Sequence, residues 1–381
     1  MNAEGIIEPN REQPAADKHA FVMELAQLAR ALLIAEPDAT DSLEVRLNQA
    51  IDAGIQRVPS GINAAELSDL IAIASDATRE SGTRAISIKE LLNYQARPRE
   101  FLLEPILQER DLVMLHAWRG LGKSQLALSI AYSVASGGPC LRWRAPKPRR
   151  VLYVDGELPL STLQERMIHL IAGSDVEPPS SDYLRFITPD IMPDGFVPNL
   201  AWPEGQAMLD DEIGKQKSEL VIIDSISTLC SGAGRENEAE SWLPVQQYAL
   251  RLRRRGIAVF FVHHDGKGGQ QRGTSRREDI LDTTIHLTHP SDYSGLQGAR
   301  FEVHFTKTRG IFGEAVKSFE ATMIVRDGRT EWTTRDLEDL HLARVAELMK
   351  DKLSVRDIAE MLNLTKSTVH RLSKKARAQG L

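Results

Sequence analysis

The chain has 381 residues, a formal net charge of −6 and an ordinary balance of apolar and charged residues. That is enough for one sizeable α/β core with one or two small accessory domains, and it excludes wholesale disorder. No apolar run approaches the length that spans a bilayer and the N-terminal stretch lacks the apolar centre of a signal peptide, so no membrane association is expected. The two cysteines, Cys140 and Cys230, lie far apart and show no metal-ligand spacing; reduced thiols fit a cytoplasmic protein.

Residues 1–20, rich in Glu, Pro, Asn and Ala, read as a disordered tail. Across 21–85, Phe21, Leu25, Leu28, Ala29, Leu32 and Leu33 recur at helical spacing, followed by Leu67, Leu70, Ile71 and Ala74, which predicts a small helical region without chemistry of its own. From 86 to 334, β-rich runs at 112–115, 150–154, 220–224, 258–263, 283–287 and 301–306 are separated by helical stretches that include 123–135, 159–171 and 242–255. Strands that are apolar throughout and separated by helices predict an α/β fold with a mostly parallel sheet covered on both faces. Such a sheet binds ligands at the carboxyl ends of its strands. Residues 335–381 read as a third, all-helical unit.

The segment Ala117-Trp118-Arg119-Gly120-Leu121-Gly122-Lys123-Ser124 follows a predicted strand and opens a predicted helix. In that setting Gly120 and Gly122 let the backbone curl so that its amides converge on phosphate oxygens, and the helix start adds its positive end. Lys123 is placed to reach the terminal phosphates and the Ser124 hydroxyl to bind Mg²⁺. The first position is Ala117, where the common phosphate-loop pattern has glycine.

Two apolar strands then end in acids: 151–157 in Asp155 and Glu157, and 220–224 in Asp224. ATP hydrolysis needs one carboxylate near Mg²⁺ and one that polarises the attacking water. Asp224 suits the first task, and Glu157, with its longer reach, the second. Asp155 is ambiguous, since an acid at a strand end often does no more than bond nearby amides. The strand at 258–262 runs into His263-His264-Asp265, from which one histidine can contact the γ-phosphate. Alternation leaves open which one faces the site, with His264 the candidate. A zinc site on the pair is a poor reading, because no further Cys or spaced His follows nearby.

Together these blocks, with Lys267-Gly268-Gly269 and Arg272-Gly273-Thr274-Ser275 behind the histidines, resemble the RecA-like P-loop ATPases of the hexameric-helicase group. Within it they are most similar to the plasmid RepA-type replicative helicases and related AAA ATPases of mobile elements, over roughly residues 86–325. The resemblance implies ATP and Mg²⁺ as cofactors, Glu157 as catalytic base, Asp224 as the metal-side aspartate and a histidine after the next strand. A fifth block, Thr306-Lys307-Thr308-Arg309-Gly310, resembles the K-x-R element of ring helicases, whose lysine and arginine reach the neighbouring subunit's ATP. It implies catalytic roles for Lys307 and Arg309 and a homo-oligomer, a hexamer by preference, in which an isolated monomer is nearly inactive. The competing reading is a basic hairpin on an edge strand.

DNA is the expected partner. Residues 265–278 form a Gly-rich segment carrying Lys267, Arg272, Arg276 and Arg277, and by the same resemblance they line a path for single-stranded DNA. The acidic segment 231–240 has a weaker claim to that path. Residues 354–377 resemble a helix-turn-helix, with Lys366, Ser367, Thr368 and Arg371 (or His370) near bases or phosphates and Lys374, Lys375 and Arg377 on the backbone. No acidic residue occurs from 361 to 381, although a solvated basic face is the plainer reading of charge alone. The expectation is an ATP-hydrolysing, DNA-binding oligomeric motor. The alternative is an ATP-switched regulator or loader that binds DNA without unwinding it.

Overall fold

The computed structural model describes residues 13–35, 41–59, 62–80, 85–195, 197–230, 239–265, 278–362 and 364–379. The chain divides into two compact units, Met1–Ala96 and Arg97–Leu381. Among the described residues no helix is long and apolar enough to cross a membrane.

The first unit comprises α1 (Gln13–Ala35), α2 (Leu43–Asp52), α3 (Ala64–Glu80) and α4 (Ile88–Asn93). Phe21, Leu25 and Ala29 of α1 pack with Leu43 and Leu47 of α2 and Ile71 and Ala74 of α3. Helix α1 begins at Gln13, inside the stretch expected to be disordered. Pro14 occupies its first turn, where a missing N–H costs nothing, so the proline that suggested a tail opens a helix.

The second unit begins with the short hairpin β1 (Phe101–Leu103) and β2 (Leu107–Gln108). There follow β3 (Leu112–Ala117), α5 (Lys123–Ser136), the small ribbon β4 (Pro139–Cys140) and β5 (Trp143–Arg144), and then β6 (Val151–Asp155), α6 (Leu160–Ala172) and β7 (Leu184–Ile187). Next come α7 (Pro203–Gln216), β8 (Leu220–Asp224), α8 (Ile226–Leu229), α9 (Ala239–Arg254) and β9 (Ala258–His264). The unit closes with β10 (Thr283–Thr288), β11 (Arg300–Thr308), β12 (Phe319–Arg326), β13 (Arg329–Asp336), α10 (Leu337–Lys350), α11 (Val355–Met361) and α12 (Lys366–Gln379).

Nine strands form one sheet in the order β13-β12-β11-β10-β3-β9-β8-β6-β7. From β10 to β7 all neighbours are parallel, whereas β11, β12 and β13 extend the sheet antiparallel. Alternation along each central strand feeds two cores. Val113, Leu115, Ile222 and Phe260 meet Leu126 and Ile130 of α5 and Leu163 of α6. Leu112, Met114, Val221, Ile223 and Phe261 meet Leu209 of α7 and Trp242, Val245 and Tyr248 of α9. Burial on both faces is why these strands carry no polar alternation. The expected mostly parallel α/β sheet with helices on both faces is therefore present.

Helices α10–α12 enclose a third cluster of Leu342, Val345, Ile358, Val369 and Leu372. They belong to the same compact unit as the sheet, and Asp336 both ends β13 and stands at the N-cap position of α10.

Candidate active site

The loop between β3 and α5 is shaped by two glycines in the left-handed region, Gly120 at φ 79° and Gly122 at φ 97°. A Cβ on Gly122 would also press on the Ala299 methyl at 3.0 Å, so two independent constraints keep this position bare. Ala117 needs no such freedom. It is the last residue of β3, it lies outside the left-handed region, and its carbonyl accepts from the Asp265 amide at 2.9 Å. Alanine in place of the usual glycine therefore costs nothing here. Trp118, Arg119 and Gly120 are exposed at the tip while Leu121 turns into the core.

Lys123 is buried, and its Nζ donates to the carbonyls of Ala117 (2.9 Å) and Trp118 (2.8 Å) across the loop mouth. Desolvation pulls its ammonium down to about 8, against the opposing pull of the Asp224, Asp265 and Glu157 charges. An anion at the loop mouth relieves that cost.

Strands β6 and β8 lie side by side with Asp155 opposite Asp224. The Asp224 carboxylate is buried and accepts from the Tyr153 hydroxyl at 2.6 Å. Burial raises its carboxyl, while hydrogen bonds from Tyr153 and Ser124 pull it down. Ser124, in the first turn of α5, and Asp224, at the end of β8, bring a hydroxyl and a carboxylate together, a hard-oxygen donor set suited to Mg²⁺.

Glu157 Oε1 accepts from Ser225 Oγ at 2.6 Å and lies 3.4 Å from His264 Nε2. The His264 contact first, then the Ser225 bond, outweigh desolvation and hold the Glu157 carboxyl down at about 2. It is thus an ionised, oriented carboxylate at neutral pH. Gly156 lies between Asp155, which ends β6, and Glu157 just beyond it. Its amide donates to the Asp224 carbonyl at 2.8 Å, and a Cβ there would meet Thr228 Oγ1 at 2.4 Å. Asp155 is fully buried, accepts from the amides of Leu158 (3.0 Å) and Glu157 (3.4 Å), and is pushed up to about 6 by burial and by Asp224. It shapes the strand end instead of facing substrate.

His264 faces Glu157, whereas His263 is wholly buried and alternates to the other face of the sheet.

Lys307 and Arg309 do not join this cluster within the chain. Lys307 donates to the carbonyl of Glu278, and Arg309 donates to that of Asp279 at 2.6 Å and lies 3.8 Å from Asp282. Lys267, Arg272, Arg276 and Arg277 lie outside the described residues, as does most of 231–240. On α12, Lys366 and Ser367 are exposed, Thr368 is half-buried, and Thr365 Oγ1 accepts from the Thr368 amide at 3.2 Å to cap the helix. Arg371 is exposed and takes part in a surface ion pair. Together with Lys375 it pairs with Glu338 of α10, each at 3.0 Å, because α12 packs along α10 and brings that acid alongside.

Tyr153 and Ser225 were not singled out from the sequence as site residues. Both hold a carboxylate instead of facing a ligand, and only the pairing of β6 with β8 brings them into reach.

A glycine loop, its lysine and serine, and acids ending two adjacent parallel strands define a P-loop nucleotide hydrolase with an α/β core. A family described as an AAA domain matches residues 77–270, more than half of the chain. The chain belongs to that family and is a P-loop ATPase. No curated protein matches it. Among solved structures it is similar to a KaiC-like protein of the hyperthermophilic archaeon Pyrococcus horikoshii, with 14% identity and a TM-score of 0.44, covering 61% of this chain and 93% of that one.

Proposed function

We propose that this ATPase is an oligomeric, DNA-binding motor of the replicative-helicase kind used by plasmids, phages or integrated elements. The observation that carries the reading is a division of labour. Lys123, Ser124, Asp224, Glu157 and His264 gather at one end of the parallel strands, while Lys307 and Arg309 bond to carbonyls outside that cluster. Each chain then supplies a site with its base and metal ligands, and a neighbour supplies the cations that neutralise the transferring phosphoryl group.

In this reading Lys123 and the loop amides grip the phosphates, and Ser124, with Asp224 behind it, holds Mg²⁺, which neutralises charge on them. Glu157, oriented by Ser225 and His264, accepts the proton of the attacking water. His264 directly precedes the basic segment 265–278, so a change at Glu157 has a short path to that segment, which we assign to the DNA path. Exposed Lys366, Ser367 and Lys374 on α12 add a second surface for duplex phosphates and bases.

The test is strand displacement on a forked duplex. ATP-dependent unwinding is expected, together with loss of single-strand-stimulated hydrolysis when Lys267, Arg272, Arg276 and Arg277 are reversed in charge. Tight DNA binding with no unwinding at any ATP concentration would replace the motor by a regulator or loader.

A further inference from the structure

His116, Asp265 and the half-buried His286 form a polar cluster that the nucleotide site does not use. His116 is next to last on β3, His286 lies opposite it on β10, and Asp265 follows directly on β9. Alternation puts His116 on the face shared by Leu112 and Met114, which pack toward α9, whereas Tyr153 and Asp224 share the α5 face. The cluster therefore sits across the sheet from the carboxylates of the ATP site. Asp265 Oδ1 is 2.7 Å from His116 Nδ1, and Oδ2 is 3.1 Å from His286 Nε2. The two imidazoles stack, with centroids 4.4 Å apart and planes 6° from parallel.

His116 is 5% exposed and Asp265 is 2% exposed, and His116 Nε2 is buried with no hydrogen-bond partner among the described residues. Burying the His116 imidazole and the Asp265 carboxylate beside a half-buried His286, with one His116 nitrogen left unpaired, is costly for a purely structural cluster. One ligand atom from each of the three lies within 4.8 Å of the others. Two imidazole nitrogens and one carboxylate oxygen are a borderline-soft donor set. It suits Zn²⁺ and neighbouring first-row ions, not Mg²⁺, which prefers oxygen alone.

We propose that His116, Asp265 and His286 bind a divalent transition-metal ion of the zinc class, separate from the Mg²⁺ of ATP. Ligand distances of about 2.0–2.2 Å require the stacked rings to splay toward a common point, and a water completes the shell. The bound ion ties the ends of β3, β9 and β10 together. It thereby fixes Ala117, where the phosphate loop begins, relative to Asp265, where the basic segment begins.

The test uses full-length protein purified without a histidine tag, stripped with chelator, and titrated with Co²⁺ and then Zn²⁺ in excess Mg²⁺ without nucleotide. The expected result is one Co²⁺ per chain with visible ligand-field bands, displacement by Zn²⁺, and a higher Tm with metal. His286→Ala and the near-isosteric Asp265→Asn should each weaken binding at least ~10-fold, while His289→Ala, at an exposed histidine, should not. Uptake of a fluorescent ATP analogue by the same variants reports folding and the phosphate loop independently, so failure of the metal site is distinguishable from failure of the ATPase reading. No stoichiometric uptake by the wild-type chain, or uptake unchanged in both ligand variants, overturns the proposal.

Discussion

Tyr153 lies outside the phosphate loop, yet its buried hydroxyl donates to Asp224 at 2.6 Å. Removing that donor leaves a buried carboxylate short of one partner, a loss of about 1–3 kcal/mol. Tyr153→Phe keeps the ring packing, so the expected outcome is a several-fold rise in the Mg²⁺ concentration for half-maximal hydrolysis with nucleotide uptake preserved, measured by Mg²⁺ titration. Asp155 and Glu157, two residues apart, are displaced in opposite directions. Asp155 is pushed up from 3.8 to about 6, so between those values the folded chain keeps a proton that the unfolded chain has released. Its contribution to stability therefore declines as pH rises through that window. Asp155→Asn should flatten the decline, read from Tm between pH 4 and 7. Glu157, held near 2 against an ordinary 4.5, works the other way: its contribution is present above 4.5 and is lost as pH falls toward 2.

At the scale of elements, the central strands were readable because burial on both faces leaves runs such as the four residues before Asp224 apolar without interruption. The phosphate loop was readable because glycine spacing and a following helix are local signals. Strands β12 and β13 were not read, since β12 grades from buried to exposed, β13 is mostly exposed, and charges interrupt both. A usable signal was present in Asp327-Gly328 between them, both at positive φ (50° and 73°), the pairing a tight two-residue hairpin favours. Helix α7 likewise announces itself only by Pro203 in its first turn. The choice between His263 and His264 needed the register of β9 against its neighbours. The His116–Asp265–His286 cluster is drawn from three strands far apart in sequence, so no linear spacing could reveal it.

At the scale of the whole molecule, Lys307 and Arg309 are useful to catalysis only if a second chain stands beside them. Arg309→Ala should bind nucleotide normally and hydrolyse it at least ~100-fold more slowly. Mixing Arg309→Ala with Lys123→Ala, each inactive alone, should restore part of the activity, because some interfaces then join an intact phosphate loop to an intact arginine. A mixture no more active than its components, measured by phosphate release, would remove the shared site.

The most direct measurement compares Mg²⁺-dependent ATP binding and single-turnover hydrolysis in the wild-type chain and in Glu157→Gln. The geometry around Ser225 and His264 predicts that the variant binds ATP as tightly as wild type and hydrolyses it about 10²–10⁴-fold more slowly. Equal hydrolysis by the two proteins, or no binding by either, would contradict the account.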